Sequence, residues 1–235
     1  WVAGFYYYDQ TVDGHYLLDL TNLGFVNFDA NYEQDTTAWS IFGQYEYDFA
    51  PQWTAIVGLR YTDETKEMDY LNVDASGFFT GVVGLPTNVA FDFDEASVGS
   101  AAEHDKTNVT GKIELDYRPN DDWLWYASFS RGVKSAGFNT GFLDQTLLFA
   151  SNTVATIPFD DETLHAYEVG FKATLFGGTA RLNGSGFYYD YMDFQTFRFE
   201  LLNQVIFNTD AEVYGGELEL QMNPWEGWDF AFGLS

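Results

Sequence analysis

Apolar and polar residues alternate at period two through most of this chain, in runs separated by Gly-, Pro-, Asn- and Asp-rich breaks. The clearest run is Thr107–Tyr117. There Val109, Gly111, Ile113, Leu115 and Tyr117 oppose Thr110, Lys112, Glu114 and Asp116. Alternation of this kind marks a strand with two unlike faces. Thr37–Phe49 repeats it, with Trp39, Ile41, Gly43, Tyr45, Tyr47 and Phe49 against Ser40, Gln44, Glu46 and Asp48. Trp53–Met68 sets Trp53, Ala55, Val57, Leu59 and Tyr61 against Thr54, Gly58, Arg60 and Thr62. Further strands are predicted over Trp1–Asp9, Trp123–Val133, Leu164–Leu175, Thr179–Phe199 and Asp210–Met222, and a ninth from Trp228 stops partway at Ser235. No i, i+3, i+4 pattern is sustained, so almost no helix is expected. No run approaches the roughly eighteen apolar residues of a spanning helix.

The breaks between strands are of two kinds. Gln10–Thr36, Asp69–Lys106 and Ser135–Thr163 read as long connections and Leu201–Thr209 as a medium one. Ala50–Gln52, Arg118–Asp122, Phe176–Gly178 and Asn223–Gly227 read as tight turns by composition. Glycines in the third supply the positive φ of a tight hairpin. Long and short connections alternate, so an up-and-down sheet collects tight turns at one end and long loops at the other. That asymmetry is the mark of outer-membrane barrels, with short periplasmic turns and long extracellular loops. Strands of ten or more residues are long enough to cross a bilayer when tilted. Phe49, Trp53, Tyr117, Trp123, Phe176, Trp225 and Trp228 all flank the short turns. They would form one interfacial ring, since an aromatic with a polar edge prefers that depth. The competing reading is a soluble β-sandwich with aromatics in its core, whose strands would be shorter.

Composition sharpens this picture. Aromatics make up 20% of the 235 residues, too many for an ordinary soluble core, yet they are interleaved with polar groups. The formal charge is -26, from 36 acids and 10 bases, which argues against a nucleic-acid partner. Without cysteine there is no disulfide and no thiolate metal site. The opening WVAGFYYYD lacks the basic start and small-residue cleavage site of a signal peptide. Both ends read as cut, so a fragment of a longer chain is expected.

Candidate chemistry is sparse. Glu217 and Glu219 share a face and read as pore lining rather than a hydrolytic pair. Phe91–Glu95 and Asp160–Glu162 carry acids without a full calcium-loop spacing. His15, His104 and His165 have no metal-ligand spacing, and no nucleophile elbow or phosphate loop is present. No catalytic, cofactor or metal residue is assigned, and no enzyme is expected. Two ligand-binding candidates stand out in the stretch WLWYASFSRGVKSAGFN (Trp123–Asn139). Arg131 lies on the apolar register near the loop end of its strand. It suits lipopolysaccharide phosphates, which arginine grips with two donors, or a snorkelling or capping role. Lys134 falls on the lumen register and would attract an anionic ligand or pair with a neighbouring carboxylate.

WLWYASFSRGVKSAGFN resembles a strand signature of TonB-dependent outer-membrane receptors. Three further blocks are similar, in order. AWSIFGQYEYDFAPQWTAIVGLRYTDETK (Ala38–Lys66) resembles an earlier barrel hairpin, LHAYEVGFKATLFGGTARLNGSGFYYDYMDFQ (Leu164–Gln195) a later one, and Ala211–Pro224 the GGELEL strand. The resemblance covers most of the chain except its loops. It implies an all-β fold, a transmembrane antiparallel up-and-down β-barrel of 22 strands, of which about nine are here. Residues 1–235 would be part of the barrel domain, with the N-terminal plug and the C-terminal closing strands absent. Nine strands would leave open edges, which lipid does not tolerate, so a larger barrel is expected.

The implied function is active import of a scarce ligand, foremost a ferric siderophore, energised through the TonB–ExbB–ExbD system. Cobalamin or carbohydrate cargo stays open. Implied partners are outer-membrane lipid and lipopolysaccharide, TonB through the plug, and the small-molecule ligand, in the outer membrane of a Gram-negative bacterium. No cofactor is expected. Recognition would fall to Gln10–Thr36, Asp69–Lys106 and Ser135–Thr163. The alternatives are a passive porin-like barrel and a soluble β-rich carbohydrate-binding module.

Overall fold

The structure is a computed structural model and describes residues 1–19, 22, 27–84, 86–140, 154–200 and 203–235. One antiparallel sheet dominates it. In chain order its strands are β1 (Val2–Asp19), β2 (Asn27–Ala50), β3 (Trp53–Asp74), β4 (Val89–Phe93), β5 (Glu103–Asn120) and β6 (Trp123–Lys134). The short β7 (Gly137–Phe138) and β8 (Pro158–Phe159) pair apart from it. Then come β9 (Glu162–Leu175), β10 (Ala180–Glu200), β11 (Asn203–Trp225) and β12 (Trp228–Leu234). Each long strand pairs with the next, in the order β1-β2-β3-β5-β6-β9-β10-β11-β12, and β4 joins the far end of β3.

Tight hairpins close one end. Ala50 pairs with Trp53, Asn120 with Trp123, and Trp225 with Trp228, leaving two-residue loops. Gly227 stands at φ 81° in the last of these, a conformation that a side chain would strain. The outer face of the sheet, which carries Trp39, Trp53 and Tyr167, meets its surroundings directly. Val57, Leu59, Ile113 and Val169 are all exposed on it. An aromatic row lies beside the hairpins, with Phe49, Trp53 and Tyr117 in ring contact and Trp123 against Phe171. A second row runs higher, where Trp39 meets Tyr61, and Phe129, Tyr167 and Tyr188 form a chain. Trp39 and Phe49 are ten residues apart on β2. At about 3.3 Å per residue and a tilt of about 40°, the apolar band between the rows is about 25 Å tall. These aromatics are not packed between two layers, so the sandwich reading is excluded.

Immediately above the second row the outer face turns polar on every strand. The next outward residues after Tyr7, Trp39, Tyr61, Phe129, Tyr167, Tyr188 and Tyr214 are Asp9, Thr37, Asp63, Arg131, His165, Asp190 and Glu212.

The strand boundaries differ from the sequence reading at this end. Gln10–Thr36, expected as a connection, is mostly strand, because β1 runs to Asp19 and β2 starts at Asn27. Leu201–Thr209, expected as a medium loop, is mostly the start of β11. Asp69–Lys106 begins and ends inside β3 and β5. Between them it carries a π-turn at Phe79–Val83, β4, a one-turn helix α1 (Glu95–Val98) and a 3-10 turn at Gly99–Ala102. Ser135–Thr163 holds β7, β8 and a 3-10 turn at Val154–Thr156; residues 141–153 lie outside the described residues.

The hydrophobic core sits on the inner face at this far end. Ala30 of β2, Met68 and Tyr70 of β3, Phe91 and Phe93 of β4, Ala102, Phe138 and Ile157 form one buried cluster. Side chains of this size contribute about 1.5–3 kcal/mol each when fully buried. The long excursions therefore fold inward onto the sheet.

Candidate functional site

The inner face at hydrocarbon height is polar and lightly packed. Four large inner-face rings sit against glycines of the neighbouring strand: Phe42 at Gly4, Tyr126 at Gly170 and Phe187 at Gly215 at this height, and Tyr32 at Gly14 above the upper aromatic row. A Cβ on any of these glycines would crowd or overlap the ring. Glycine thus lets each ring cover the backbone of its neighbour. Glu168 accepts the Tyr126 hydroxyl, and Glu219 accepts from Asn183 and Gln221. Glu217 and Glu219 are thus members of this polar wall.

Nine of the ten lysines and arginines stand on inner-face positions; Arg131 is on the outer face. Several are neutralised close by: Lys66 lies 3.0 Å from Glu64, Arg118 lies 2.8 Å from Asp116, and Lys112 pairs with Glu114.

At the top of the inner face a strap made of residues 135–139 and 157–161 crosses the wall, pinned at both ends. On the β3 side Lys66 donates to the Ser135 hydroxyl at 2.7 Å and the Ala136 carbonyl at 2.8 Å, while Ser135 donates to Glu64. On the β10–β11 side two asparagines substitute for backbone. Asn139 accepts from the Ile206 N–H at 2.7 Å and donates to the Ile206 carbonyl at 2.9 Å. Asn208 accepts from the Asp160 N–H and donates to its carbonyl, both at 2.9 Å. Gln195 donates to the carbonyls of Ser135 and Asp160, and Glu162 accepts the Gln195 N–H. Asp161 accepts the Ala136 N–H at 2.6 Å. Under the strap His104 rests against the Phe138 ring at 4.8 Å. Burial, helped by Lys106, holds its pKa below the ordinary histidine value, against the opposing pull of Asp160 and Asp161.

The two residues singled out from sequence are not brought together. Arg131 stands on the outer face one step above the aromatic row, opposite Gly111, and donates to the Val109 carbonyl of β5. Lys134 is on the inner register opposite Glu162, but that carboxylate holds Gln195, and Lys134 has no salt bridge among the described residues. Sequence reasoning passed over Lys66, Asn139, Gln195 and Asn208. Their partners lie up to 70 residues away in the chain, as for Lys66 and Ala136, and no local spacing reports them.

Of the acids of Phe91–Glu95 and Asp160–Glu162, Asp161 and Glu162 hold the strap and Asp94 a helix end. Asp94 caps α1, accepting the Ser97 N–H at 2.6 Å; hydrogen bonding to the Ser97 side chain first, and then to its N–H, keeps the Asp94 carboxyl below the ordinary range. Above the upper aromatic row, the outer face carries Asp13, Glu33, Asp69 and Asp92 around a recess of about 590 Å³. Glu33 is held above the ordinary carboxylate range by Asp35 first, then Asp13. His15 is 2.9 Å from Asp29, and His165 lies beside the Phe129 ring.

The whole chain, residues 1–235, matches the family described as TonB dependent receptor-like, beta-barrel. The chain belongs to that family, one of outer-membrane transporters and receptors of Gram-negative bacteria. Its fold is similar to the ferric yersiniabactin uptake receptor FyuA from Yersinia pestis (TM-score 0.74, 16% identity, covering 98% of this chain and 31% of that one). It is also similar to the ferric-catecholate import receptor Fiu from E. coli K12 in its open form (TM-score 0.57, 13% identity, 98% and 31%). A third likeness is the copper transporter OprC (TM-score 0.55, 15% identity, 98% and 39%). The chain thus spans between about a third and two fifths of the length of these structures.

Proposed function

We propose that this member of the TonB-dependent receptor β-barrel family is a wall segment of an outer-membrane importer that takes up ferric siderophores with energy from TonB. The observation that carries the reading is the two aromatic rows enclosing an apolar outer band of about 25 Å, with a polar inner face behind it. A soluble binding module would not present Leu59 and Val169 at 62% and 60% exposure. The FyuA and Fiu likenesses support the choice of ferric chelates over sugars or cobalamin. On this reading a plug, the part that TonB engages, fills the lumen, and the short turns face the periplasm. The strap over the inner face then lies at the ligand's entrance. Arg131 is suited to a lipopolysaccharide phosphate, because it is the cation standing at outer-leaflet height. Lys134 faces inward and favours anionic cargo.

The test is uptake. A strain lacking the full-length gene is complemented and supplied with a panel of iron-55 chelates under iron limitation. Uptake of at least one chelate, abolished by deleting TonB, is expected. Uptake of none, or uptake indifferent to TonB, overturns the proposal. For the lipid contact, Arg131→Ala is expected to lower the lipopolysaccharide that co-purifies with the receptor; an unchanged amount removes that role.

A further inference from the structure

Three inner-face cations carry a carboxylate two residues along their own strand: Lys66 with Glu64, Lys112 with Glu114, and Arg118 with Asp116. Arg60 on β3 does not. The positions two residues to either side are Gly58 and Thr62. Directly across lie Phe42 on β2 and Thr110 on β5. The diagonal neighbours are Ser40, Gln44, Asn108 and Lys112. None of these is an acid, and one is a second cation.

The guanidinium is nonetheless fixed. Its Nε donates to Thr62 Oγ1 at 3.1 Å and its Nη2 to Ser40 Oγ at 2.7 Å. Thr62 in turn donates to Ser40 at 3.1 Å, and Ser40 is fully buried. The rings of Tyr6 and Phe42 lie 5.6 and 5.7 Å from its central carbon, close enough for cation–π attraction. Phe42 itself sits against Gly4. An arginine normally loses much rotamer freedom when it grips an anion. Here that freedom is already lost to two hydroxyls and two rings, and among the described residues no carboxylate forms an ion pair with it. The hydroxyls use the Nε and Nη2 edge and leave the end of the fork, one N–H each from Nη1 and Nη2, available for a planar two-oxygen group.

We propose that Arg60 is an anion-binding residue of the inner wall, built to take one carboxylate end-on. The carboxylate has two possible sources: an acidic side chain from another part of the full-length protein, or a carboxylate-bearing solute passing through. Only the second source rests on the importer reading.

The test reads Arg60 directly. Outer-membrane fragments holding the full-length protein are treated with phenylglyoxal, and the rate of Arg60 modification is followed by mass spectrometry. Citrate is the probe and glycerol the neutral control. Severalfold slowing by citrate, absent with glycerol and weakened in Thr62→Val, is expected for a solute carboxylate. Slow labelling without citrate that raised salt releases assigns the carboxylate to the protein, because salt screens an ion pair and not a steric block. Two results overturn the proposal: labelling at the rate of an unstructured arginyl peptide whatever is added, and slow labelling that neither citrate nor salt alters. None of these outcomes requires iron transport, so failure of the importer reading is seen separately, in the uptake assay.

Discussion

The lower and upper halves of β2 and β3 obey opposite rules. Below the Trp39–Tyr61 contact, outward positions are Ile41, Tyr45, Val57 and Leu59, and inward ones are Ser40, Gln44, Arg60 and Thr62. Above it, outward positions are Asp29, Glu33, Asp35, Asp63, Glu67 and Asp69, while Phe28, Ala30, Met68 and Tyr70 point inward and are buried. The pleat never breaks; the polarity of its two faces inverts. One backbone therefore serves two solvents. Where hydrocarbon is outside, the greasy face must turn to it, and where water is outside, the greasy face must find protein instead. The inward-folded excursions Phe91, Phe93, Ala102, Phe138 and Ile157 supply that protein.

The largest test of this contrast removes the upper core. Phe93 is fully buried against Phe91 and Phe138. Phe93→Ala is expected to cost about 3–5 kcal/mol locally. Hydrogen exchange should then accelerate over residues 89–103 while β5 and β6 between the aromatic rows stay protected. Uniform acceleration would mean that the halves are one cooperative unit.

Next comes charge on the outer face. Leu59→Arg, at hydrocarbon height, should destabilise the full-length barrel by about 2–4 kcal/mol in urea titrations from lipid vesicles. Glu67→Arg, eight residues farther along β3 on the same face, should stay within about 0.5 kcal/mol. Equal effects would remove the distinction in solvent.

Asn139→Ala strands the N–H and carbonyl of Ile206, with an expected cost of about 1–3 kcal/mol. Limited proteolysis should then cut the strap first and spare the hairpins.

The smallest effect is pH. Glu33 and Asp92 have raised pKa values in the fold, Glu33 chiefly through Asp35, Asp92 chiefly through burial and then Asp94. A raised carboxyl favours folding below its unfolded pKa, and that contribution disappears as pH rises through the folded value. With the intrinsic base-catalysed rate of amide exchange divided out, protection of the upper region should therefore be greater at mildly acid pH than at neutral pH, and Glu33→Gln should flatten that dependence. The membrane half should show no such trend.

The same inversion explains what was legible in the sequence. At hydrocarbon height the outward row is apolar without interruption, and the strands, tight turns and lower aromatic row can be read directly from period two. Above Trp39 the outward residues become acids, so Gln10–Thr36 resembles a polar loop by composition, although Tyr32, Ala30 and Phe28 keep the beat with its phase exchanged. Asn203–Thr209 carries no acid; its Asn203, Gln204 and Asn208 give it the composition of a loop. Of the site, Lys134 was correctly placed on the inner register and Arg131 on the outer one. Arg60 was placed on its face, but nothing local revealed that Ser40, Tyr6 and Phe42 would hold it, since Ser40 and Phe42 come from β2 and Tyr6 from β1, and all three reach Arg60 only on folding. The strap's asparagines imitate backbone at contacts 48 and 67 residues away, which no window of sequence contains.

The rings set against Gly4, Gly14, Gly170 and Gly215 have a consequence for the relief of the inner wall. An alanine at any of these positions would leave the strand paired but push a six-membered ring off its seat, away from the sheet. The smoothness of the wall is set by hydrogen atoms: four missing methyl groups let the rings settle, and restoring one would raise a ring without loosening the strands beneath it.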